Sequence, residues 1–114
     1  MRLPDLVAYL LARPGAEETH PFGAEPDVYK VNGKMVAILS RTPEPMRISL
    51  KCDPDLAEAL RRTHPAIVPG YHLSKRHWNT ITLDGSIADD ELLGMIDHSH
   101  ELVAGGRRPR ADRR

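Results

Sequence analysis

The sequence is poor in cysteine and in aromatic residues, and it contains no long apolar run. Its single cysteine, Cys52, cannot form a disulfide within the chain, which favours a reducing compartment. Aromatic residues make up 4% of the chain, so aliphatic side chains must fill most of the core. The apolar start MRLPDLVAYLL is interrupted by Pro4 and Asp5 and is too short to cross a bilayer. We therefore expect a cytoplasmic protein that does not enter membranes.

The chain also lacks the motifs of several functional classes. It has no Gly-rich phosphate loop, no nucleophile elbow, no CxxC or HxxxH pair, and no helix-turn-helix or zinc finger. His98 and His100 lie two residues apart on a predicted helix, where side chains do not face each other. His72 and His77 could meet Cys52 only if the fold joined them. The acidic residues that open the last predicted helix are explained by the helix dipole. We therefore predict a protein that is not an enzyme, with no metal and no cofactor.

Charge is strongly segregated, although the formal net charge of the 114 residues is zero. The window from Ala59 to Leu83 contains no acidic residue, whereas the segment from Asp84 to Glu101 contains six acids and no Lys or Arg. The tail GGRRPRADRR has five arginines and one aspartate, which leaves residues 1–106 with a net charge of −4. The zero net charge therefore hides a basic window, an acidic helix and a basic tail.

Local patterns predict a mixed α+β domain. Asn32-Gly33 between two β-prone runs is typical of a type I′ hairpin turn. MRISLK alternates apolar and polar residues as a strand with one buried face, and HWNTITL is a second such strand. Helices are predicted from Leu3, from the N-cap Asp53, and over residues 88–104. The short strand connections predict a two-layer fold with a mainly antiparallel sheet and helices on one face. We assign residues 1–104 to a single domain and expect residues 105–114 to be an Arg-rich, disordered tail.

Five motifs resemble the MmcQ/YjbR family of small bacterial proteins. In order along the chain they are HPFG, VYKVNGKM, ISLKCDP, VPGYHLSKRHWNT and IDHSHELV. The resemblance covers nearly the whole chain from Leu3 to Val103, departs at His100, and excludes the Arg-rich tail. It implies a fold similar to the frataxin/CyaY type. It also implies a DNA-binding role through a double-wing arrangement, and it brings no catalytic residues.

The candidate binding surface is centred on YHLSKRHWNT, which gathers basic residues around the only tryptophan. The residues selected for nucleic-acid or anion binding are Lys51, His72, Lys75, Arg76, His77, Trp78 and Asn79. The alternation of the last strand directs Trp78 away from the helices, where it could stack on bases beside strand cations. Two alternatives stay open: a shifted register would put Trp78 in the core, or the loop 64–76 would fold over it.

These residues favour weak, salt-dependent binding of a phosphate backbone, with DNA as the expected partner. Nothing in the sequence supports base-specific recognition. The alternative function is a protein- or small anionic ligand-binding domain in which GYHLSKRHWNT forms a pocket. A monomer is favoured in either case.

Overall fold

The computed structural model describes residues 1–105, which form three helices and one six-stranded sheet. The elements in chain order are α1 (Leu3–Ala12), β1 (Ala16–Thr19), β2 (Asp27–Val31), β3 (Lys34–Ser40), β4 (Arg47–Lys51), α2 (Pro54–Thr63), β5 (Ile67–Pro69), β6 (Trp78–Thr82) and α3 (Asp89–Ala104). The strand order is β1-β2-β3-β4-β6-β5, and all neighbouring strands are antiparallel. Within this range no helix is long and apolar enough to span a bilayer. The predicted tail beyond Gly105 lies outside the described residues.

Local sequence signals place the turns and helix ends. Asn32 and Gly33 have φ values of 53° and 80°, as the predicted hairpin between β2 and β3 requires. The Asp53 carboxylate accepts a hydrogen bond from the Leu56 N–H at 3.3 Å, which caps α2. Pro54 occupies the first helical position, where its missing N–H costs nothing. These three features confirm the predicted hairpin and the predicted start of α2.

The helices cover one face of the sheet, which confirms the predicted two-layer α+β architecture. The core joins apolar residues of that face with residues of α1 and α3: Leu6, Leu10, Tyr29, Ala37, Leu39, Ile48, Leu50, Ile67, Ile81, Leu92 and Ile96. Leu60 of α2 packs against this cluster from the third helix. The resemblance to the CyaY fold in particular remains a prediction.

The edge strand β5 was harder to predict than the centre of the sheet. β5 lies in a segment that the sequence assigns to a loop, because it follows Pro65 and ends at Pro69. Proline is compatible with an edge strand, since one side of that strand has no partner to hydrogen bond. β5 pairs with β6, placing Val68 opposite Thr80, and thereby forms one edge of the sheet.

The sheet face opposite the helices carries two residues of the candidate surface, Lys51 and Trp78. A continuous row crosses all six strands there, formed by Thr19, Val28, Ile38, Ser49, Thr80 and Val68. Further along β4 towards α2, Lys51 lies directly opposite Trp78. The register therefore places Trp78 on the face away from the helices, as the alternation of its strand predicts.

Candidate nucleic-acid interface

Residues 70–77, here called the basic loop, connect β5 to β6 and fold back against Trp78. The Gly70 N–H donates to the Trp78 carbonyl at 2.8 Å. A Cβ on Gly70 would lie 2.6 Å from Trp78 Cβ and 3.2 Å from Leu73 Cβ, so only glycine fits between them. Trp78 is only 7% exposed as a result of its position on the sheet and this close approach. The hypothesis of an exposed stacking tryptophan is therefore wrong, because the loop packs against the strand that carries it.

Arg61 of α2 fixes the far side of the basic loop. Its Nη1 donates to the Lys75 carbonyl at 3.2 Å and to Asn79 Oδ1 at 2.8 Å. Asn79 in turn donates from Nδ2 to the Ala57 carbonyl at 3.3 Å, and it is 2% exposed. Asn79 consequently joins the sheet to α2 and lies out of reach of a large ligand. Arg61 was not selected from the sequence, because a basic residue in the last turn of a helix gives no signal of this contact.

The Lys75 side chain stabilises the basic loop and also provides a positive charge. Its Nζ donates to the Gly70 carbonyl at 2.7 Å, which closes the loop on itself. An ammonium group has three donors, so two remain for an anion. Because Lys75 is exposed, those donors are accessible from solvent.

Arg76 and His77 are exposed basic residues whose side chains do not stabilise the loop through polar contacts. Within residues 1–105 neither side chain forms a hydrogen bond or an ion pair. The backbone around them is held: the His77 carbonyl accepts from the Cys52 N–H at 2.8 Å, and the His77 N–H donates to the Ser74 carbonyl at 3.3 Å. The backbone therefore fixes the position of two bases whose side chains are available for a ligand.

Lys51 joins this surface from the neighbouring strand. It is half-buried beside Trp78, and its ammonium forms no hydrogen bond or ion pair to any residue in the described range. Lys34 lies at the same end of the sheet, next to the turn between β2 and β3, and is exposed. Lys34 was missed because its place depends on the strand order, which no local signal contains.

An aromatic pair at the start of the loop replaces Trp78 as the accessible ring. Tyr71 is 71% exposed, and its ring centroid lies 4.0 Å from that of His72 with the planes tilted by 51°. His72 has a φ of 58°, in the left-handed region. The Tyr71 N–H donates to Thr80 Oγ1 at 3.1 Å, which ties the pair to β6. The exposed face of Tyr71 is available for stacking.

An apolar concavity lies elsewhere, between α2 and α3. It has a volume of about 280 Å³ and an apolar lining built on Leu50 and Ile81, with Cys52 and His98 also contributing. Burial raises the pKa of the Cys52 thiol to about 11, with a smaller contribution from the Asp53 charge. Of the segment GYHLSKRHWNT, only Asn79 lines this concavity, and the alternative function stays a prediction.

Comparisons with known proteins agree with the fold. The family model described as YjbR matches residues 11–102. The chain is 35% identical over 101 residues to the uncharacterized protein YjbR of Escherichia coli K12, a match that covers 89% of this chain and 86% of that protein. A Deinococcus radiodurans crystal structure with a DUF419 domain is 42% identical, with a TM-score of 0.84 over 89% of this chain and 77% of the other. A Pseudomonas syringae crystal structure is 26% identical, with a TM-score of 0.78 over 90% and 99%. The chain belongs to the YjbR family.

Proposed function

We propose that this protein is a non-enzymatic DNA-binding protein that contacts phosphates through the basic loop. The observation that carries the proposal is the pair Arg76 and His77, which are exposed and without a partner in the described part of the chain, on a backbone that hydrogen bonds hold in place. Phosphate contacts require positive charge and donors at a reachable spacing, and they do not require a particular base sequence.

Lys75 and Lys51 extend the same surface. Lys75 retains two donors beyond its bond to Gly70, and Lys51 lies one strand away from the loop. Tyr71 adds an exposed ring on which an unpaired base can stack. Trp78 is buried beneath the loop and anchors the segment that presents the basic residues.

The charge of the protein limits the affinity. Residues 1–106 have a net charge of −4, and α3 contains acids without compensating Lys or Arg. Duplex DNA would therefore be repelled by most of the domain and attracted only at the loop. We expect modest affinity with a steep salt dependence. A monomer suffices for this mode, because the proposed contacts come from a single chain.

The decisive experiment measures binding to random-sequence duplex DNA by fluorescence anisotropy across a salt series. Arg76→Ala removes an unpartnered charge from the loop. Arg2→Ala is the matched control, because Arg2 is an exposed arginine outside the loop that pairs with Asp5 of α1 at 3.8 Å. Loss of one phosphate contact should flatten the log–log salt slope by about 0.9 in Arg76→Ala and leave it unchanged in Arg2→Ala.

The tail requires a parallel measurement. The full chain and a chain ending at Gly106 should differ by a salt-sensitive, sequence-independent contribution from the five tail arginines. The effect of Arg76→Ala should persist in the shorter chain. If the shorter chain binds no DNA at low salt, the loop is not a DNA site. If Arg76→Ala and Arg2→Ala give the same slope, the contact lies elsewhere.

A further inference from the structure

Glu18, His20 and Asp27 converge at the β1–β2 edge of the sheet, at the opposite end of the strands from the basic loop. His20 Nε2 lies 3.0 Å from Glu18 Oε2 and 3.1 Å from Asp27 Oδ1, and all three ligand atoms lie within 4.8 Å of one another. Within residues 1–105 they form the one group of three or more His, Cys, Asp or Glu residues with such convergence. The sequence does not reveal it, because Asp27 reaches the other two only through the pairing of β1 with β2.

Each carboxylate is oriented by a donor from outside the group. The Tyr29 hydroxyl donates to Glu18 Oε1 at 3.0 Å, and Arg41 Nε donates to Asp27 Oδ2 at 2.8 Å. The opposite oxygen of each carboxylate is the one that faces His20. Arg41 Nη2 also approaches Asp27 Oδ1 at 3.2 Å, which leaves that oxygen a further lone pair. Donors of this kind hold the ligands of metal sites in position.

The surroundings keep these donors in place. Asp27 is buried, with a side chain only 6% exposed, so it cannot turn freely towards solvent. Tyr29 is only 1% exposed, so its hydroxyl is shielded from solvent beside Glu18. The orientation of Glu18 and Asp27 is therefore built into the fold.

Local charge is complementary to a divalent cation. Glu25 adds a third carboxylate to Glu18 and Asp27, and its Oε1 accepts from the backbone N–H of Arg41 at 2.8 Å. The guanidinium of Arg41 is the positive charge that pairs with this group. The three carboxylates and the one guanidinium sum to a net charge of −2.

We propose that Glu18, His20 and Asp27 form a binding site for a divalent transition-metal ion of the Zn²⁺ class. One imidazole nitrogen and two carboxylate oxygens suit such an ion better than Mg²⁺ or Ca²⁺, which prefer oxygen ligands alone. Tetrahedral coordination with bonds of about 2.0–2.2 Å separates ligand atoms by ~3.3 Å. The two distances from His20 need to widen by only a few tenths of an ångström, and the Glu18 and Asp27 oxygens, which lie within 4.8 Å of each other, must reach the same separation. Water would complete the coordination.

The test uses the full chain, with Zn²⁺ followed by isothermal titration calorimetry and Co²⁺ followed by visible absorption. The variant is His20→Gln, and the matched control is His64→Gln. His64 also contacts a carboxylate, Glu91 Oε2 at 2.8 Å, but within residues 1–105 it forms no ion pair with a second acid. We expect one Zn²⁺ per chain, affinity reduced by more than about 10-fold in His20→Gln, and no change in His64→Gln.

Two further variants keep the result independent of folding. Glu18→Gln retains an acceptor for Tyr29 and should lose the Co²⁺ absorption bands while the metal-free protein keeps its melting temperature. Tyr29→Phe removes only an orienting donor and should weaken Zn²⁺ binding by about 10- to 100-fold. Equal affinity in His20→Gln and the parent chain would overturn the proposal. Absence of Zn²⁺ binding by the parent chain would also overturn it, leaving His20 as a hydrogen-bonded bridge between two carboxylates.

Discussion

The backbone of Gly70 lies so close to Trp78 that no side chain fits at position 70, since a Cβ there would be 2.6 Å from Trp78 Cβ. The Gly70 N–H bonds to the Trp78 carbonyl at 2.8 Å, and a Cβ on Gly70 would also lie 3.1 Å from that carbonyl oxygen. Trp78 belongs to β6, which is paired with β4 on one side and β5 on the other. This contact links the only tryptophan to the position of the bases in the basic loop.

Gly70→Ala should destabilise the protein by about 1–3 kcal/mol, because the added methyl group overpacks against Trp78. Gly94→Ala is the control. Gly94 lies inside α3, and a methyl group added there would meet open space, so alanine should stabilise the helix by up to about 1 kcal/mol. Chemical denaturation of both variants gives the comparison. If Gly70→Ala were as stable as the parent, the loop would not be packed against Trp78.

Gly33→Val should destabilise the hairpin by about 1 kcal/mol or more. Gly33 has a φ of 80°, and a β-branched side chain strongly resists that conformation. Gly33→Asn should cost less, because asparagine tolerates positive φ and nothing lies within 4 Å of a Cβ at this position. The two variants differ in backbone preference rather than in crowding. Equal melting temperatures for both would argue that the turn does not hold this geometry.

Ser99 of α3 bridges two strands. Its Oγ donates to the Val36 carbonyl at 2.7 Å and accepts from the Lys51 N–H at 3.0 Å, and the residue is 0% exposed. Val36 lies where the register of β2 and β3 shifts, so the regular ladder is interrupted there. Ser99→Ala would bury both groups without this partner, and we expect a loss of about 2 kcal/mol or more.

Ser74→Ala is the control for Ser99→Ala, because the Ser74 side chain is exposed and forms no hydrogen bond within the described range. Its free energy of unfolding should stay within about 0.5 kcal/mol of the parent value. Denaturation midpoints with unchanged slopes would provide the measurement. A tolerated Ser99→Ala would mean that water replaces the hydroxyl between the strands.

The sequence predicts most reliably those features that a few adjacent residues determine. The Asn32-Gly33 turn and the Asp53 cap depend on neighbouring backbone atoms, and both are present. The burial of Trp78 depends instead on the approach of Gly70, which the chain brings back against β6. The alternation of β6 correctly gives the face on which Trp78 lies, but alternation contains no information about what covers that face.

The candidate surface shows the same division. Arg76 and His77 are exposed bases, as their acid-free segment suggests. Asn79 shares that segment but is held by Arg61 and the Ala57 carbonyl, eighteen and twenty-two residues away. Such contacts arise only when α2 packs on β6. Residues selected from one continuous motif can therefore have unrelated tasks, since adjacent positions on a strand point to opposite faces.

Cys52 should react slowly with alkylating reagents. Burial raises its pKa from 9.0 to about 11, so at a pH of about 8 its thiolate fraction falls by about 100-fold relative to the unfolded chain. The rate of alkylation by iodoacetamide should rise with pH up to about 11 in the folded protein and level off near 9 in denaturant. Coincident pH profiles would contradict the raised pKa.

The raised pKa of Cys52 also makes stability depend on pH. Between a pH of 9.0 and about 11 the unfolded thiol loses its proton while the folded thiol keeps it, so the free energy of unfolding must decrease as pH rises. Cys52→Ala should reduce that decrease, and the remaining part belongs to other groups, among them Tyr9 and Tyr29, whose pKa values burial also raises.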